Sequence, residues 1–291
     1  MMEGQLGYVS IVRTGPGSSI QDLGRREWAR FGVPNSGPAD KISPEWINHL
    51  LRNESNDAVI EISQPGFRIE PSHACEIAIA GAPCAVFLNE KSVPSSQKIS
   101  LKAKDILELG AFTHGARVYV GIKGGFQTPL ALGSRSFYPE ITQKTYLQKG
   151  DRIPFWIPAG RKEPGFSAPK WDASWFETEN LEFYPGPDYH LLSHETKETL
   201  HAEEFTISPH SSRMGTILYE NLPNSLPELP TNPVYPGIVQ LTSGGKLIIL
   251  GPDAQVTGGY PRIMFLTEFA QSILAQKKPG QKVRFIKKSP V

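Results

Sequence analysis

A chain of 291 residues is long enough for two domains that each bury a core. Its composition, 39% hydrophobic and 20% charged, is ordinary for a globular protein, and its net charge of +1 excludes a general electrostatic attraction to nucleic acid or membrane. The first residues do not resemble a signal peptide and no stretch is apolar enough to span a bilayer, so we expect a cytoplasmic protein.

Turn-forming residues are frequent, with 27 glycines and 26 prolines scattered between short apolar runs. This pattern predicts a mainly β fold with a few short helices. Two cysteines, Cys75 and Cys84, lie in an apolar stretch and form no Cys-x-x-Cys pair. We expect them to be small buried hydrophobic residues and not a disulfide or a metal site.

The first half of the chain is predicted to hold short strands and one helix. Ser43 is suited to cap this helix and Pro44 to occupy its first position, and an apolar face continues to Arg52. The close and regular spacing of the strands favours a barrel or sandwich over alternating strand–helix units. The predicted strands cover residues 8–13, 58–63, 67–70, 76–80, 85–88, 98–101, 106–109 and 117–122.

A shift to Pro, Gly, Lys, Ala and Ser over 157–175 predicts a linker. We therefore divide the chain into an N-terminal β-domain over 1–160, a linker over 161–180 and a related C-terminal β-domain over 181–291. Polar turns near 104, 149 and 278 each lead into an alternating strand. In the second domain we predict helices over 193–203 and 262–276, and strands over 205–208, 238–241 and 247–250.

A polar loop follows the strand pair 238–250. It carries Asp253, Gln255, Thr257 and Tyr260, together with the glycine pair 258–259. Glycines permit close approaches that a Cβ would prevent, and a rigid hairpin that presents such a loop is a common binding scaffold. A simple tight turn is the alternative interpretation.

Several self-sufficient catalytic motifs are missing from the sequence. It has no phosphate-binding Gly-x4-Gly-Lys-Ser/Thr loop, no His-Glu-x-x-His and no Gly-x-Ser-x-Gly elbow, and its seven histidines form no obvious metal-ligand set. It also lacks the Met-Lys-Met sequence that carries biotin. An active site in this chain is therefore expected to combine separated loops and to need a partner chain.

The remaining candidates are guanidinium, carboxylate and glycine-rich groups. Arginines can bind a carboxylate or phosphate in a two-pronged manner, and glycine N–H groups can bind an anion. Carboxylates can orient those arginines, act as a base or hold Mg²⁺. A structural ion pair or turn is the alternative for each of them. The candidates are Arg25, Arg117, Arg135 and Arg213; Asp22, Asp40, Glu61 and Asp253; and the glycine pairs Gly124 with Gly125 and Gly258 with Gly259.

An ordered set of short motifs extends over residues 9–285. In order it includes Gln21-Asp-Leu-Gly-Arg, Gly37-Pro-Ala-Asp, Gly115-Ala-Arg, Leu132-Gly-Ser-Arg-Ser, Arg213-Met-Gly, Pro236-Gly-Ile-Val-Gln240 and Thr257-Gly-Gly-Tyr-Pro. In this set the chain resembles the family of the C-type 5-oxoprolinase subunit, also called KipA or allophanate hydrolase subunit 2. That family is related to half of the carboxyltransferase domain of urea carboxylase.

The resemblance implies a fold, partners and an activity. It implies two cyclophilin-like β-barrel domains and a complex with a KipI-like B-type partner and with an A-type hydrolase partner. Such complexes cleave 5-oxoproline to glutamate at the expense of ATP with Mg²⁺. The KipI-like and C-type chains are thought to phosphorylate the lactam, and the A-type hydrolase to complete ring opening. The chain is expected to be inactive alone.

The resemblance also implies roles for the matching loops. Asp40, Asp253 and Tyr260 are the implied catalytic residues, and Arg25 or Arg213 is assigned to the substrate carboxylate. The lactam or nucleotide is assigned to Asp253, Gln255 or Tyr260, and no metal ligands are implied. The implied binding residues are Gln21, Asp22, Arg25, Glu61, Arg117, Gly124, Gly125, Ser134, Arg135, Arg213, Gln240, Gln255, Thr257, Gly258 and Gly259.

The same resemblance leaves two alternatives open. In the first, the chain is a carboxyltransferase half that acts on urea or a similar amide with carboxybiotin from another protein. In the second, the chain is a KipA-like regulator that binds a histidine-kinase inhibitor.

Overall fold

The computed structural model describes residues 5–95, 98–157 and 171–289. The described residues fall into two compact units: unit 1 takes those of Met1–Gly24 and Lys41–Ala173, and unit 2 those of Arg25–Asp40 and Ser174–Val291. Strands predominate over short helices, which confirms the mainly β prediction. The predicted domain limits stay a prediction, and the first half of the predicted linker, 161–170, lies outside the described residues.

Unit 1 contains two antiparallel sheets and one α-helix. The sheets have the strand orders β11-β1-β4-β9-β6-β7 and β2-β3-β10-β5-β8. The elements in chain order are β1 (Leu6–Arg13), β2 (Ser19–Gln21), α1 (Ile42–Leu51), β3 (Val59–Ile62), β4 (Phe67–Pro71), β5 (Cys75–Gly81), β6 (Cys84–Leu88), β7 (Lys91–Ser92), β8 (Ile99–Leu101), β9 (Leu107–Phe112), β10 (Val118–Ile122) and β11 (Arg152–Trp156).

The core of unit 1 follows from the alternation of its strands. On β1, Val9 and Ile11 are buried at 0% and 1% exposure, and the residues between them are partly exposed. Every residue of β10 is buried: Val118 and Val120 enter the core, and Tyr119 lies on the opposite face under α1. β10 is therefore a central strand that is covered on both faces.

Helix α1 packs on β5 and β10, where Gly121 lets it approach closely. A Cβ at Gly121 would lie 2.2 Å from Cγ2 of Ile47, so a side chain there would displace the helix. The helix begins two residues earlier than predicted: Lys41 is the N-cap residue, and Ser43 lies in the first turn. The prediction that Ser43 caps the helix is therefore wrong.

Unit 2 is built on one seven-stranded sheet with the order β13-β20-β12-β19-β16-β17-β14. The bridge between Ile207 and Leu218 joins its two end strands, so the sheet is a nearly closed barrel. The elements are β12 (Asn180–Pro185), α2 (His194–Ala202), β13 (Phe205–Thr206), β14 (Gly215–Asn221), β15 (Asn232–Pro233), β16 (Ile238–Leu241), β17 (Lys246–Leu250), β18 (Thr257–Gly258), β19 (Arg262–Leu266), α3 (Glu268–Ala275) and β20 (Lys282–Lys287).

Side-chain hydrogen bonds add to the contact between β13 and β14, the two end strands of the sheet, which we call the seam of the barrel. Glu220 on β14 accepts hydrogen bonds from the Thr206 N–H at 2.5 Å and the Thr206 hydroxyl at 2.7 Å. Burial alone would raise the pKa of Glu220, but these hydrogen bonds to its carboxylate outweigh burial and leave the pKa lowered. The carboxylate thus supplies acceptors that a longer strand pair would have supplied.

The predicted helix over 262–276 is wrong in its first five residues, which form β19. Ile263, Met264 and Leu266 are all buried at 0% exposure, and such an apolar run suits a buried strand as well as a helix. The helix starts only after Thr267, whose Oγ1 accepts the Ala270 N–H at 3.1 Å. The helix predicted over 193–203 is confirmed and begins at its Ser193 cap.

Both cysteines are free thiols, as predicted. Burial raises the pKa of Cys75 to about 12 and that of Cys84 to about 11, so neither is a ready nucleophile. Among the described ranges, no helix has the length and apolar character needed to cross a bilayer.

Candidate functional site

The segment 25–40 packs with unit 2 and carries two of the predicted arginine and carboxylate sites. Arg25 is only 2% exposed. Its Nη1 donates to Ser36 Oγ at 3.1 Å, and its N–H donates to the Asn35 carbonyl at 2.7 Å. Arg25 thus ties the two ends of an irregular loop together, which is a structural role for its guanidinium.

Arg213, Asp253 and Gly37 form a second group in unit 2, which we call the Arg213 clamp. Arg213 Nε lies 2.6 Å from Asp253 Oδ2, and its Nη2 donates to Asp253 Oδ1 at 3.0 Å and to the Gly37 carbonyl at 2.6 Å. Both side chains are 12% exposed. The guanidinium fork expected to hold a substrate carboxylate therefore holds Asp253 and the 25–40 segment.

Asp40, a predicted catalytic acid, is completely buried. Its Oδ2 accepts a hydrogen bond from Gln276 Nε2 at 2.8 Å, and Gln276 is the C-cap residue of α3. The pair fastens the end of the 25–40 segment to α3. Gln276 was not predicted, because nothing in the sequence links a glutamine after a helix to an aspartate 236 residues away.

The loop after β17 folds against Gln240 of β16. Gln240 is 1% exposed and donates from Nε2 to the Tyr260 carbonyl at 3.3 Å. A Cβ at Gly258 would lie 2.7 Å from that nitrogen, so glycine is required by close packing. β18 pairs with β15, and the side chains of Gln255 and Thr257 are exposed. Exposure leaves these two predicted binding residues accessible.

Asp22 is the centre of a buried hub in unit 1, formed with Ser134, Arg135 and Ser136. Its Oδ1 accepts from Ser134 Oγ at 2.5 Å and from Ser136 Oγ at 2.7 Å, and its Oδ2 accepts from the Arg135 N–H at 2.6 Å. The Gly24 N–H donates to Oδ1 at 3.0 Å. A carboxylate with four donors locks the loop after β2 onto residues 134–136, and the role of Asp22 in substrate or nucleotide binding stays a prediction.

The glycine pair Gly124–Gly125 was predicted to offer N–H groups to an anion, and the structure corrects this prediction. The Gly124 N–H donates to Asn53 Oδ1 at 2.8 Å, and the Gly125 N–H donates to the Ile122 carbonyl at 2.9 Å. Their φ angles of 80° and 69° place them in the left-handed region. These glycines therefore make a turn and have no N–H group left for an anion.

Arg135 lies beside that turn and is also held within the protein. Its Nη2 donates to Gln127 Oε1 at 2.7 Å, and its Nη1 donates to the Thr128 carbonyl. Gln127 Nε2 in turn donates to the Gly124 carbonyl at 2.7 Å. Arg135 thus braces the loop that follows β10.

The outer face of β2, β3 and β10 carries a polar row, which we call the edge cluster: Ser19, Gln21, Glu61, Tyr119 and, just before β10, Arg117. All are buried except Arg117, whose side chain is 19% exposed. Glu61 is fully buried, accepts the Tyr119 hydroxyl at 2.9 Å and lies 3.6 Å from Arg117 Nε. Ser19 faces Glu61 across the strand pair. Of these five, Ser19 was missed, although its position two residues before Gln21 puts both on one face of a strand.

The predicted site residues thus meet in separate groups. Unit 2 brings Arg213 and Asp253 together with the 25–40 segment. Unit 1 brings Asp22 together with Ser134 and Arg135, and Glu61 together with Arg117, while the strand register puts Gln21 on the same sheet face as Glu61. Within the described parts of the chain, no group of three or more His, Cys, Asp or Glu side chains is placed to hold a metal ion.

Comparisons with known proteins identify relatives along most of the chain. The C-type 5-oxoprolinase subunit of Escherichia coli (strain K12) is 28% identical over 284 residues, which cover 96% of this chain and 90% of that protein. The protein of the same name in Haemophilus influenzae is 28% identical over 288 residues, covering 95% and 90%.

A solved structure shares the fold. The crystal structure of Kluyveromyces lactis urea carboxylase matches with a TM-score of 0.82 at 24% identity, over 97% of this chain and 27% of that chain. The chain thus spans about a quarter of that protein, and the likeness concerns the fold alone. The family model described as "Carboxyltransferase domain, subdomain A and B" matches residues 31–287. The chain therefore belongs to the carboxyltransferase-domain family, subdomains A and B, as its resemblance to the C-type 5-oxoprolinase family predicted.

Proposed function

We propose that this chain is part of an ATP-dependent 5-oxoprolinase that cleaves 5-oxoproline to glutamate. One observation carries the proposal: the match to proteins named as C-type 5-oxoprolinase subunits spans 90% of their length and nearly all of this chain. Because the match covers nearly the full length of both proteins, it supports the same function for this chain, and not merely a domain shared with a larger enzyme. The proposed partners are a KipI-like B-type protein, called the KipI-like partner below, and an A-type hydrolase.

The chemistry of a lactam explains why ATP is needed in this proposal. A lactam resists attack by water, whereas transfer of the γ-phosphoryl group from ATP to the lactam oxygen releases ADP and leaves an electrophilic imidate. One water then adds to the activated carbon and the C–N bond breaks, which leaves an acyl phosphate of glutamate. A second water cleaves this acyl phosphate to glutamate and phosphate. We assign phosphorylation to this chain with the KipI-like partner, and ring opening to the A-type hydrolase.

The groups in this chain fit the role of an incomplete catalyst. Asp22 and Asp253 are engaged in internal hydrogen bonds, and Glu61 is engaged with Tyr119 and Arg117. We therefore propose that Mg²⁺ arrives bound to ATP and that the partner supplies most of its protein ligands. This chain contributes rigid loops and the edge cluster, and alone it has no turnover.

A carboxyltransferase half is the second candidate, and the matching family model is the observation that favours it. In that function a carboxyl group moves from carboxybiotin on another protein to urea or a similar amide. The two candidates share a small amide substrate but differ in the co-substrate, which is ATP in one and carboxybiotin in the other.

Reconstitution distinguishes the two functions. The chain is mixed with its cognate KipI-like partner and A-type hydrolase, 5-oxoproline, ATP and Mg²⁺, and glutamate is measured. Glutamate should appear only when all three proteins are present, and omission of this chain should abolish it. A mixture that forms no glutamate but carboxylates urea from carboxybiotin would establish the second candidate in place of the first.

A further inference from the structure

The edge cluster places an unusual amount of polarity on a buried sheet face. Helix α1 covers β5 and β10 with apolar contacts, and β2 lies at the edge of the sheet. On that edge Ser19 and Gln21 are both 1% exposed, and Gln21 pairs with Val59, which packs in the apolar cluster of α1. A carboxamide beside apolar side chains is costly to bury unless its hydrogen bonds are made.

The nitrogen of the Gln21 carboxamide makes a hydrogen bond, and its oxygen does not. Nε2 donates to Ser19 Oγ at 2.9 Å. Oε1 is buried and has no hydrogen-bond partner among the residues that the structure describes. Most buried polar atoms in proteins are paired, so an unpaired acceptor calls for a partner that is a bound molecule or a water. Charged and hydroxyl groups of Glu61, Arg117 and Tyr119 lie on the same face.

The shape of a carboxamide selects one class of ligand. Its oxygen and the second hydrogen of its nitrogen lie side by side on one edge. A lactam, a primary amide and urea present the complementary N–H and C=O on one edge of their own, whereas a trans peptide places them on opposite sides. Two hydrogen bonds can therefore form between Gln21 and a small cis-amide.

We infer that Gln21 is the residue that recognises the amide of the substrate, by accepting its N–H at Oε1 and donating from Nε2 to its carbonyl. The substrate class is a small amide with a free N–H on the same edge as its carbonyl. This inference rests on the proposed function for 5-oxoproline as the ligand, while urea would be bound by the same contacts.

Binding of three probes tests the inference. 5-Oxoproline, urea and N-methyl-5-oxoproline are titrated by calorimetry into the full chain and into its complex with the KipI-like partner. We expect 5-oxoproline or urea to bind, and N-methyl-5-oxoproline to bind at least about tenfold more weakly than 5-oxoproline because it lacks the N–H. Binding of 5-oxoproline but not urea supports the 5-oxoprolinase function, and binding of urea but not 5-oxoproline supports the carboxyltransferase function.

Two variants assign the effect to one side chain. Gln21→Met keeps the size of the side chain and removes both polar atoms, and we expect it to weaken binding of the N–H amide by about tenfold or more. Its thermal midpoint should stay close to that of the wild type, because removal of the unpaired buried oxygen offsets loss of the hydrogen bond from Nε2 to Ser19 Oγ. The matched control is Gln64→Met, an exposed glutamine of unit 1 that should bind as the wild type does.

Each outcome decides the inference separately from the proposed function. Equal binding by Gln21→Met and wild type, equal binding of the N–H and N-methyl lactams, or no binding of any probe would overturn it and would leave a buried water as the partner of Oε1. If the three-protein mixture makes no glutamate while Gln21 still discriminates the N–H, the proposed function fails and the inference stands. If the mixture forms glutamate and Gln21→Met changes neither its rate nor its KM, the inference fails and the proposed function stands.

Discussion

Arg213 and Asp253 lie 40 residues apart in the sequence and form a two-pronged ion pair, with Nε 2.6 Å from Oδ2 and Nη2 3.0 Å from Oδ1. The same Nη2 donates to the Gly37 carbonyl at 2.6 Å. The pair thus joins the start of β14, the loop after β17 and the 25–40 segment. Its geometry indicates that Arg213 positions loops, and its assignment to the substrate carboxylate stays a prediction.

Truncation of this arginine is therefore expected to destabilise the fold. Arg213→Ala leaves the mostly buried Asp253 carboxylate without its fork, and we expect a loss of about 3 kcal/mol in the free energy of unfolding. Urea denaturation measures this loss. Arg68→Ala is the control, because Arg68 pairs with Glu108 while 40% exposed and should cost under about 1 kcal/mol. Equal stability of Arg213→Ala and wild type would show that the clamp does not hold the loops.

Gly125 is expected to tolerate alanine worse than Gly133 does. Both have φ in the left-handed region, at 69° and 80°, so each substitution carries a backbone cost of about 1 kcal/mol. At Gly125 a Cβ would also lie 2.8 Å from the Asp57 Cβ, whereas Gly133 faces open space. We expect Gly125→Ala to cost about 2 kcal/mol more than Gly133→Ala in urea denaturation. Equal costs would contradict the close approach of Asp57.

The seam of the unit 2 barrel is expected to weaken in acid. Hydrogen bonds from Thr206 outweigh burial and lower the folded-state pKa of Glu220 below its ordinary value of 4.5. This stabilisation is complete above 4.5 and is lost as the pH falls through the folded-state pKa. Glu220→Gln should therefore reduce the fall in thermal midpoint below pH 4.5.

Glu198→Gln is the matched control for this titration, since Glu198 is 70% exposed and pairs only with the exposed His194 in the contacts described for it. It should leave the pH profile unchanged. A Glu220→Gln protein with the wild-type acid profile would show that the seam carboxylate does not contribute to stability.

Neither thiol is expected to react in the folded protein. Burial raises the pKa of Cys84 to about 11 and that of Cys75 to about 12, so at pH 8 about one thiol in a thousand or fewer is ionised. A disulfide reagent such as dithiobis(nitrobenzoate) should label both residues in urea and label neither rapidly under native conditions. Rapid labelling of the native chain would mean that this part of unit 1 opens readily.

Local signals in the sequence predict most of the fold. Alternation along residues 8–13 marks β1, and the Ser193 cap marks the start of α2, because both depend only on neighbouring residues. The strand β19 was predicted as helix, since a strand that is apolar on both faces lacks the period of two. β14 was missed because Tyr219 is exposed and the middle of the strand does not pair regularly with β17.

The contacts of the candidate site were harder to predict from the sequence, because they join segments that are far apart along the chain. The sequence singled out Arg213 and Asp253 and allowed a structural ion pair for each, but it did not show that they are each other's partner. Nor did it show that two serines of residues 134–136 donate to Asp22. A pairing over 112 residues depends on tertiary structure, which local spacing does not encode. The short-range relationship of Ser19 and Gln21, two residues apart on β2, is the part that spacing alone could have predicted.

The most direct test of the proposed function is the ratio of glutamate formed to ATP hydrolysed by this chain reconstituted with its cognate KipI-like partner and A-type hydrolase. If the chain is part of an ATP-dependent 5-oxoprolinase, glutamate and ADP should rise together on addition of 5-oxoproline, and both should fall to background when this chain is left out. Glutamate formation that persists without the chain, or ADP release that does not respond to 5-oxoproline, would contradict it.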